Sequence, residues 1–375
     1  MTTSQAIRVL HVLGSMNRGG VETWLMHVLR HINRERFQMG FCCLSGEPGV
    51  YAPEVEALGS KVYSCRLTKN LLEFNRQFDH ILTMGHYDVV HSHVHHFSGY
   101  ILWRAAKRRI RQRIAHSFTA PPEENASFLR RLYKVLMKRW IHRYATLGLG
   151  NSQESMCSLF GESWQHDARW QLLYCGIDLV PFERLGDVSS VRSQYGIPQD
   201  AAVIGHLGRL TPAKNHRFLI EIAKEINKRR DDVWFLLVGD GPLRQQLQEY
   251  VRQQGLTKMI FTGAVADIEP YLRSMDLFLF PSLWEGLPQS VIEAQSAGLR
   301  CLCSEAVTRE VAVVPDAVRF LPLSESVSAW AGTCLAMAGE RKIDPCYALR
   351  KVADSPFAIE KSVEKLACLY TGISS

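Results

Sequence analysis

No apolar run in this chain of 375 residues approaches the roughly 20 that a bilayer-spanning helix requires. The opening MTTSQAIRVLHVLG has no charged segment ahead of an apolar stretch, so no secretory leader is expected. The ten cysteines form no C-x-x-C. Cys42 and Cys43 adjoin, and a single residue separates Cys301 from Cys303. This argues against a zinc site and a disulfide framework, and it fits a reducing cytoplasm. There is also no D-x-D tract, no repeat, no low-complexity segment and no nucleic-acid-binding motif.

What is present suits a globular α/β protein. Hydrophobic residues make up 46% and charged residues 22%, ordinary for a folded chain long enough for two domains. Short apolar runs alternate with helical patterns: IRVLHVL, FQMGFCCL, DVVHSHV, RIAHSF, TLGLGN, AVIGHLG, WFLLVGD, MIFTG, LFLFPS and LRCLCS. That alternation predicts βαβ units and parallel sheets. The runs fall into two sets that break near Cys175-Gly176-Ile177-Asp178, before Pro181 and the polar stretch GDVSS. The reading is two doubly wound domains, 1–175 and 176–355, with ligands expected at the carboxyl ends of their strands. The tail 356–375 carries an amphipathic pattern (Phe357, Ile359, Val363, Leu366, Leu369).

The most telling segment is FPSLWEGLPQSVIEAQSAG. The apolar run MDLFLF reads as a buried strand ending at Pro281, and a helix follows with Pro288 at its start. Glu285 then lies on the strand-to-helix turn and Glu293 inside the helix. A helix N-terminus offers free N–H groups and a positive dipole end, a ready place for phosphate. Two carboxylates that could grip sugar hydroxyls stand beside it.

This Glu285…Glu293 segment resembles the E-x7-E signature of retaining glycosyltransferases of the GT-B fold, family 4. IGHLGRLTPAKNHRFLIEIAKEI, FLLVGDGPLRQQL and IFTGAVADIEPYLRSMDLFLFPS keep the family's order and spacing, as do MNRGGVETWL, VVHSHVH, RIAHSF and YCGID upstream. The likeness covers nearly the whole chain and is strongest toward capsule and exopolysaccharide transferases. It implies an acceptor-binding Rossmann-like domain (1–175), a nucleotide-sugar-binding one (176–355), and a tail helix (356–375) packing back on the first. It further implies metal-independent, retaining transfer of a hexose, glucose-type being the modal guess, from a UDP-sugar to a lipid-linked or saccharide acceptor. A nucleotide-sugar epimerase of the same architecture and a non-catalytic nucleotide-sugar-binding subunit are the alternatives.

The resemblance assigns roles position by position. Arg209 and Lys214 would hold the diphosphate, as a forked and a point cation can. A solvated basic loop would use the same residue types. Glu285 would contact donor-sugar hydroxyls and Glu293 the ribose. Gly208 and the backbone of Gly286, Leu287, Pro288 and Gln289 would line the sugar and phosphates. Val265 would bracket the uracil, and Gly19 and Gly20 would let backbone approach the donor, although a plain helix-start turn looks alike. His116 would contact the sugar near the reacting carbon. The family pattern continues with a second His and an Asn, but here Phe118 and Thr119 follow Ser117. That departure falls on the acceptor contacts and not on His116; His93 and Phe118 are placed on the acceptor side.

Two features stand apart. Strand alternation would put His91, His93 and His95 on one face, yet Asp, Glu and Cys partners at ligand spacing are missing, so no metal is expected. Residues 101–150 hold twelve Lys and Arg against Glu123 and Glu124, a segmental excess above the +7 of the whole chain. Within it, 127–145 places Leu129, Leu132, Tyr133, Leu136 and Trp140 on one face, flanked by Arg130, Arg131, Lys134, Lys138 and Arg139. This suits peripheral attachment to the anionic inner face of the plasma membrane. A helix packed on its own sheet with a solvated basic face is the alternative. Nucleic acid is not expected.

Overall fold

A computed structural model describes residues 6–118, 127–183 and 189–372. Thr119, Glu123, Glu124 and most of the polar stretch at 186–190 lie outside the described residues. The chain forms two compact units, Met1–Gly176 with Ile359–Ser375, and Ile177–Ala358.

The first unit is built on β1 (Ile7–Leu13), β2 (Phe37–Cys43), β3 (Lys61–Ser64), β4 (Val89–Ser92), β5 (Gln112–Ser117), β6 (Leu147–Gly150) and β7 (Trp170–Leu172), in the order β3-β2-β1-β4-β5-β6-β7. The second contains β8 (Ala202–Leu207), β9 (Val233–Val238), β10 (Met259–Gly263), β11 (Leu277–Phe280), β12 (Arg300–Ser304) and β13 (Val318–Leu321), in the order β10-β9-β8-β11-β12-β13. Every strand pairing is parallel. Central strands such as β1 and β11 are apolar almost throughout because helices cover both sheet faces. In each unit the strand order reverses beside the first strand, between β1 and β4 and between β8 and β11. Loops leaving the strands there diverge and open a crevice.

The C-terminal helix, Ile359–Thr371, belongs to the first unit. Ile359, Leu366 and Tyr370 join the core that the helix Gly20–His31 caps. Ser362 fixes the docking: its Oγ accepts from Trp24 Nε1 at 3.1 Å and donates to the carbonyl of Tyr174 at 2.9 Å. The pattern read from sequence shifts slightly. Phe357 precedes the helix, and Tyr370 rather than Leu369 is fully buried.

The basic segment leaves most of its expected apolar face uncovered. Its helix, Phe128–Tyr144, buries only Met137 and Ile141. The apolar residues expected to share a face stay in solvent: Leu129 is 75% exposed, Leu132 55% and Leu136 44%, with Phe128 at 78%. The half-buried Trp140 alone among them packs inward, stacked on Tyr100 and tilted against Trp103.

Candidate active site

The second unit assembles the diphosphate candidates at the ends of β8, β9 and β10. Gly208 N–H donates to Val238 O, Leu210 N–H to Asp240 O, and Gly239 N–H to Gly263 O, each at 3.0 Å. Gly239 sits at φ 135°, and a Cβ there would collide with the carbonyl oxygen of Gly208. Only glycine permits that approach. The chain then runs through exposed Arg209 into a short 3-10 turn, Pro212–Lys214. Asn215 follows in the left-handed region at φ 54° and turns into the helix His216–Asn227.

Lys214 does not reach into open solvent. Its Nζ lies 2.6 Å from Glu285 Oε1 and 4.6 Å from the centre of the Phe280 ring. A backbone bond from Leu283 N–H to Ala213 O, 2.7 Å, ties the two loops together. Lys214, after β8, and Glu285, after β11, thus form a single ion pair.

Next to it, the helix Gln289–Ser296 starts at Pro288, the residue before its first turn. No side chain among the described residues caps it, so its first N–H groups are available for an anion. Gly286, Leu287 and Pro288 are buried, and Gln289 Nε2 is a buried donor without a partner among the described residues. Glu293, the fifth helical residue, is half-buried, and burial pushes its pKa up to about 7. Val265 is half-buried on the turn after β10. Sequence reading passed over two neighbours. Arg244 pairs with Asp240 at 2.9 Å, and its Nη1 would lie 3.0 Å from a Cβ at Gly263. His206 is buried and bonded through Nδ1 to Leu279 O. Its Nε2 would lie 3.1 Å from a Cβ at Gly208.

The first unit holds the remaining candidates. His116 is the penultimate residue of β5, fully buried, with Phe118 stacked on it at 4.2 Å between centroids and Trp24 edge-on at 5.3 Å. His93 lies 5.5 Å from His116, ring to ring. Gly19 is the residue before the helix Gly20–His31, in extended conformation, so its geometry does not itself demand glycine.

The histidines are grouped differently from the alternation in sequence. β4 stops at Ser92, and His95 turns off in the left-handed region at φ 48°. His91 and His93 instead meet His11 of β1, which sequence reading missed because it sits inside an unbroken apolar run. Ring nitrogens of His11, His91 and His93 lie within 4.8 Å of one another, a spacing from which a metal could be ligated. In this structure the rings bond to each other: His11 Nδ1 to His93 Nε2 at 2.9 Å, and His91 Nε2 to His116 Nδ1 at 3.1 Å. Burial holds all four neutral, with His11 and His116 lowered to about 3 and His91 and His93 well below the usual imidazole range. No helix among the described residues is long and apolar enough to cross a membrane.

Comparison with known proteins bears on the family and the fold. Residues 19–156 match the family model described as glycosyl transferase 4-like domain, and residues 201–338 match glycosyl transferases group 1. The chain is 32% identical to the putative glycosyltransferase EpsF of Bacillus subtilis, over 99% of this chain and 97% of that protein. It is 25% identical, over 98% of both chains, to a UDP-Gal:alpha-D-GlcNAc-diphosphoundecaprenol alpha-1,3-galactosyltransferase of Escherichia coli. The fold is similar to that of Anabaena HepE solved with UDP-glucose, at a TM-score of 0.81, 20% identity, and coverage of 98% of this chain and 100% of that one. With two parallel sheets of this topology, both family models matched in order and an end-to-end relative, the chain belongs to the group 1, family-4-like glycosyltransferases of the GT-B fold.

Proposed function

We propose that this glycosyltransferase moves a hexose, glucose-type, from a UDP-sugar to a lipid-linked acceptor during synthesis of a surface polysaccharide, with retention and without a metal. The observation that carries the reading is the Lys214–Glu285 pair beside an uncapped helix N-terminus. A nucleoside diphosphate sugar carries the two groups that these residues answer. Its diphosphate suits Arg209, Lys214 and the helix N–H groups, and its sugar hydroxyls suit Glu285. Charge developing on the departing diphosphate would be met by donors already in place, the arrangement that lowers a transition-state barrier most. Among the described residues none is placed as a covalent nucleophile, so the acceptor would attack on the leaving-group face. The leaving phosphate would take the acceptor's proton. His116 would contact the sugar, Glu293 the ribose, and Val265 the uracil. His93 and Phe118 would face the acceptor.

The lipid-linked acceptor is supported by the basic helix. Phe128, Leu129, Leu132 and Leu136 are exposed beside Arg130, Arg131, Lys134, Lys138 and Arg139. A shallow hollow of about 540 Å³ lined by Val135, Lys138, Arg139, His142 and Arg143 continues that surface. Apolar side chains amid cations suit the interfacial region of an anionic membrane. The Escherichia coli relative acts, by its name, on a diphosphoundecaprenol acceptor. Incubating the chain with labelled UDP-sugars and a polyprenyl-diphosphate saccharide tests the reading. Labelled lipid product is expected, and epimerised or untouched UDP-sugar with no transfer would overturn it.

A further inference from the structure

His116 is held by a chain of hydrogen bonds that begins on the last helix. Tyr370 Oη lies 2.8 Å from His91 Nδ1, and His91 Nε2 lies 3.1 Å from His116 Nδ1. All three side chains are buried, and Tyr370 packs in the core beside Phe37. His116 Nε2 is buried and has no partner among the described residues.

The direction of this chain follows from its chemistry. A phenol O–H is a better donor than an imidazole N–H, and an imidazole nitrogen is a better acceptor than a phenol oxygen. Tyr370 therefore donates to His91 Nδ1. Neutral His91 then carries its proton on Nε2 and donates to His116 Nδ1. Neutral His116 must carry its own proton on Nε2, the nitrogen left without a partner. Burial, which disfavours imidazolium and phenolate alike, keeps all three members in these neutral forms.

We propose that Tyr370, through His91, is a positioning residue for the transfer reaction, fixing His116 as the tautomer that offers an Nε2–H donor to an oxygen of the bound ligand. The functional half of this inference rests on the reading that His116 meets the donor sugar. In that role His116 is a hydrogen-bond donor, and it is the wrong tautomer to act as a base through Nε2. The C-terminal helix thereby takes part in the site without touching the ligand.

The full-length protein labelled with ¹⁵N-histidine provides the test, read by long-range ¹H–¹⁵N correlation together with donor kinetics. His116 in the wild type should show a protonated Nε2 and a bare Nδ1. Tyr370→Phe removes only the hydroxyl. It should give a mixture of His116 tautomers and lower kcat/KM for the donor about tenfold, the size of one lost hydrogen bond. His91→Asn cuts the same chain from its middle and should do likewise. Ser362→Ala loosens the docking of the same helix and frees Trp24, which packs on His116, so it should lower the melting temperature and is not read by small shifts; the His116 tautomer, protonated on Nε2 and bare on Nδ1, should stay as in wild type. A proton on Nδ1 of wild-type His116, or a Tyr370→Phe spectrum identical to wild type, would overturn the relay. A changed tautomer with unchanged donor kinetics would remove Tyr370 from the reaction. If His116→Gln were equally silent, the error would lie in the sugar contact and not in the relay.

Discussion

Lys214 Nζ and Glu285 Oε1 lie 2.6 Å apart, with only 16% and 13% of the two side chains exposed. Before any ligand arrives, the cation proposed for the diphosphate is already held by the carboxylate proposed for the sugar.

That pairing separates two variants that would otherwise look alike. Arg209 is exposed on its loop, so Arg209→Ala should cut transfer by orders of magnitude and leave the melting temperature unchanged. Lys214→Ala should cut transfer as severely, because removing one donor from a developing oxyanion costs about 3–4 kcal/mol. It should also lower stability by about 1–3 kcal/mol, since Glu285 loses its partner. Lys214→Ala with Glu285→Ala should recover most of that stability and none of the activity. Thermal unfolding and initial rates check both, and near-normal turnover in either single variant contradicts the clamp.

Glu293 gives a pH signature of opposite sign to most carboxylates. Burial raises its pKa from 4.5 to about 7, so the native state binds a proton that the unfolded chain has released. Stability from this group is complete below pH 4.5 and is lost as pH rises toward 7. Glu293→Gln should therefore be more stable than wild type at pH 8, with the difference vanishing near pH 4. Its affinity for UDP should fall. Melting temperatures across pH and UDP titrations decide the matter, and a gap independent of pH would show that Glu293 titrates alike in the folded and unfolded chain.

The buried histidines act in the other direction. His11 and His116 are lowered from 6.5 to about 3, with His91 and His93 also well below it. The unfolded chain takes up protons that the folded one refuses, so stability present above pH 6.5 should be lost as pH falls below it. Acid should destabilise the unit containing β1 to β7 first. Replacing His11 with Phe should flatten the loss. Hydrogen exchange at pH 5 measures it unit by unit.

The basic helix predicts binding to vesicles rich in anionic lipid. Salt should weaken this binding, because charge attraction is screened over roughly 8 Å at physiological ionic strength. Replacing Arg130, Arg131, Lys134 and Lys138 with Gln should weaken it too, and so should replacing Leu129 and Leu132 with Ser. Transfer to a short soluble acceptor should barely change. Vesicle co-sedimentation that fails to distinguish anionic from neutral lipid would leave the helix with no membrane role.

Chelation tests the metal question from both sides. Activity should persist in EDTA, because Arg209, Lys214 and a helix N-terminus already answer the diphosphate charge. Loss on chelation with recovery in added manganese or magnesium would overturn that. Zinc that binds and is displaced by His11→Phe would assign the imidazole cluster as its site.

Ten strands were legible in the sequence because each is a run of apolar residues, which a sheet covered on both faces requires. The strand-turn-helix around Glu285 was legible for a related reason: Pro281 and Pro288 punctuate it. The three strands that escaped, β3, β7 and β13, lie at sheet edges. They are three or four residues long and carry no continuous apolar run. The fate of the 127–145 helix was equally hidden. Helical spacing gives an apolar stripe, but only tertiary packing decides whether that stripe meets a sheet. Here Met137 and Ile141 are buried, and Leu129 and Leu132 are not. Sequence spacing alone could place Lys214 and Glu285 on their loops and His91 on its strand. It could not pair Lys214 with Glu285, bring His11 to His93, or set Tyr370 against His91. Those contacts join residues distant in sequence, and the parallel order of the strands and the return of the last helix bring them within hydrogen-bonding distance.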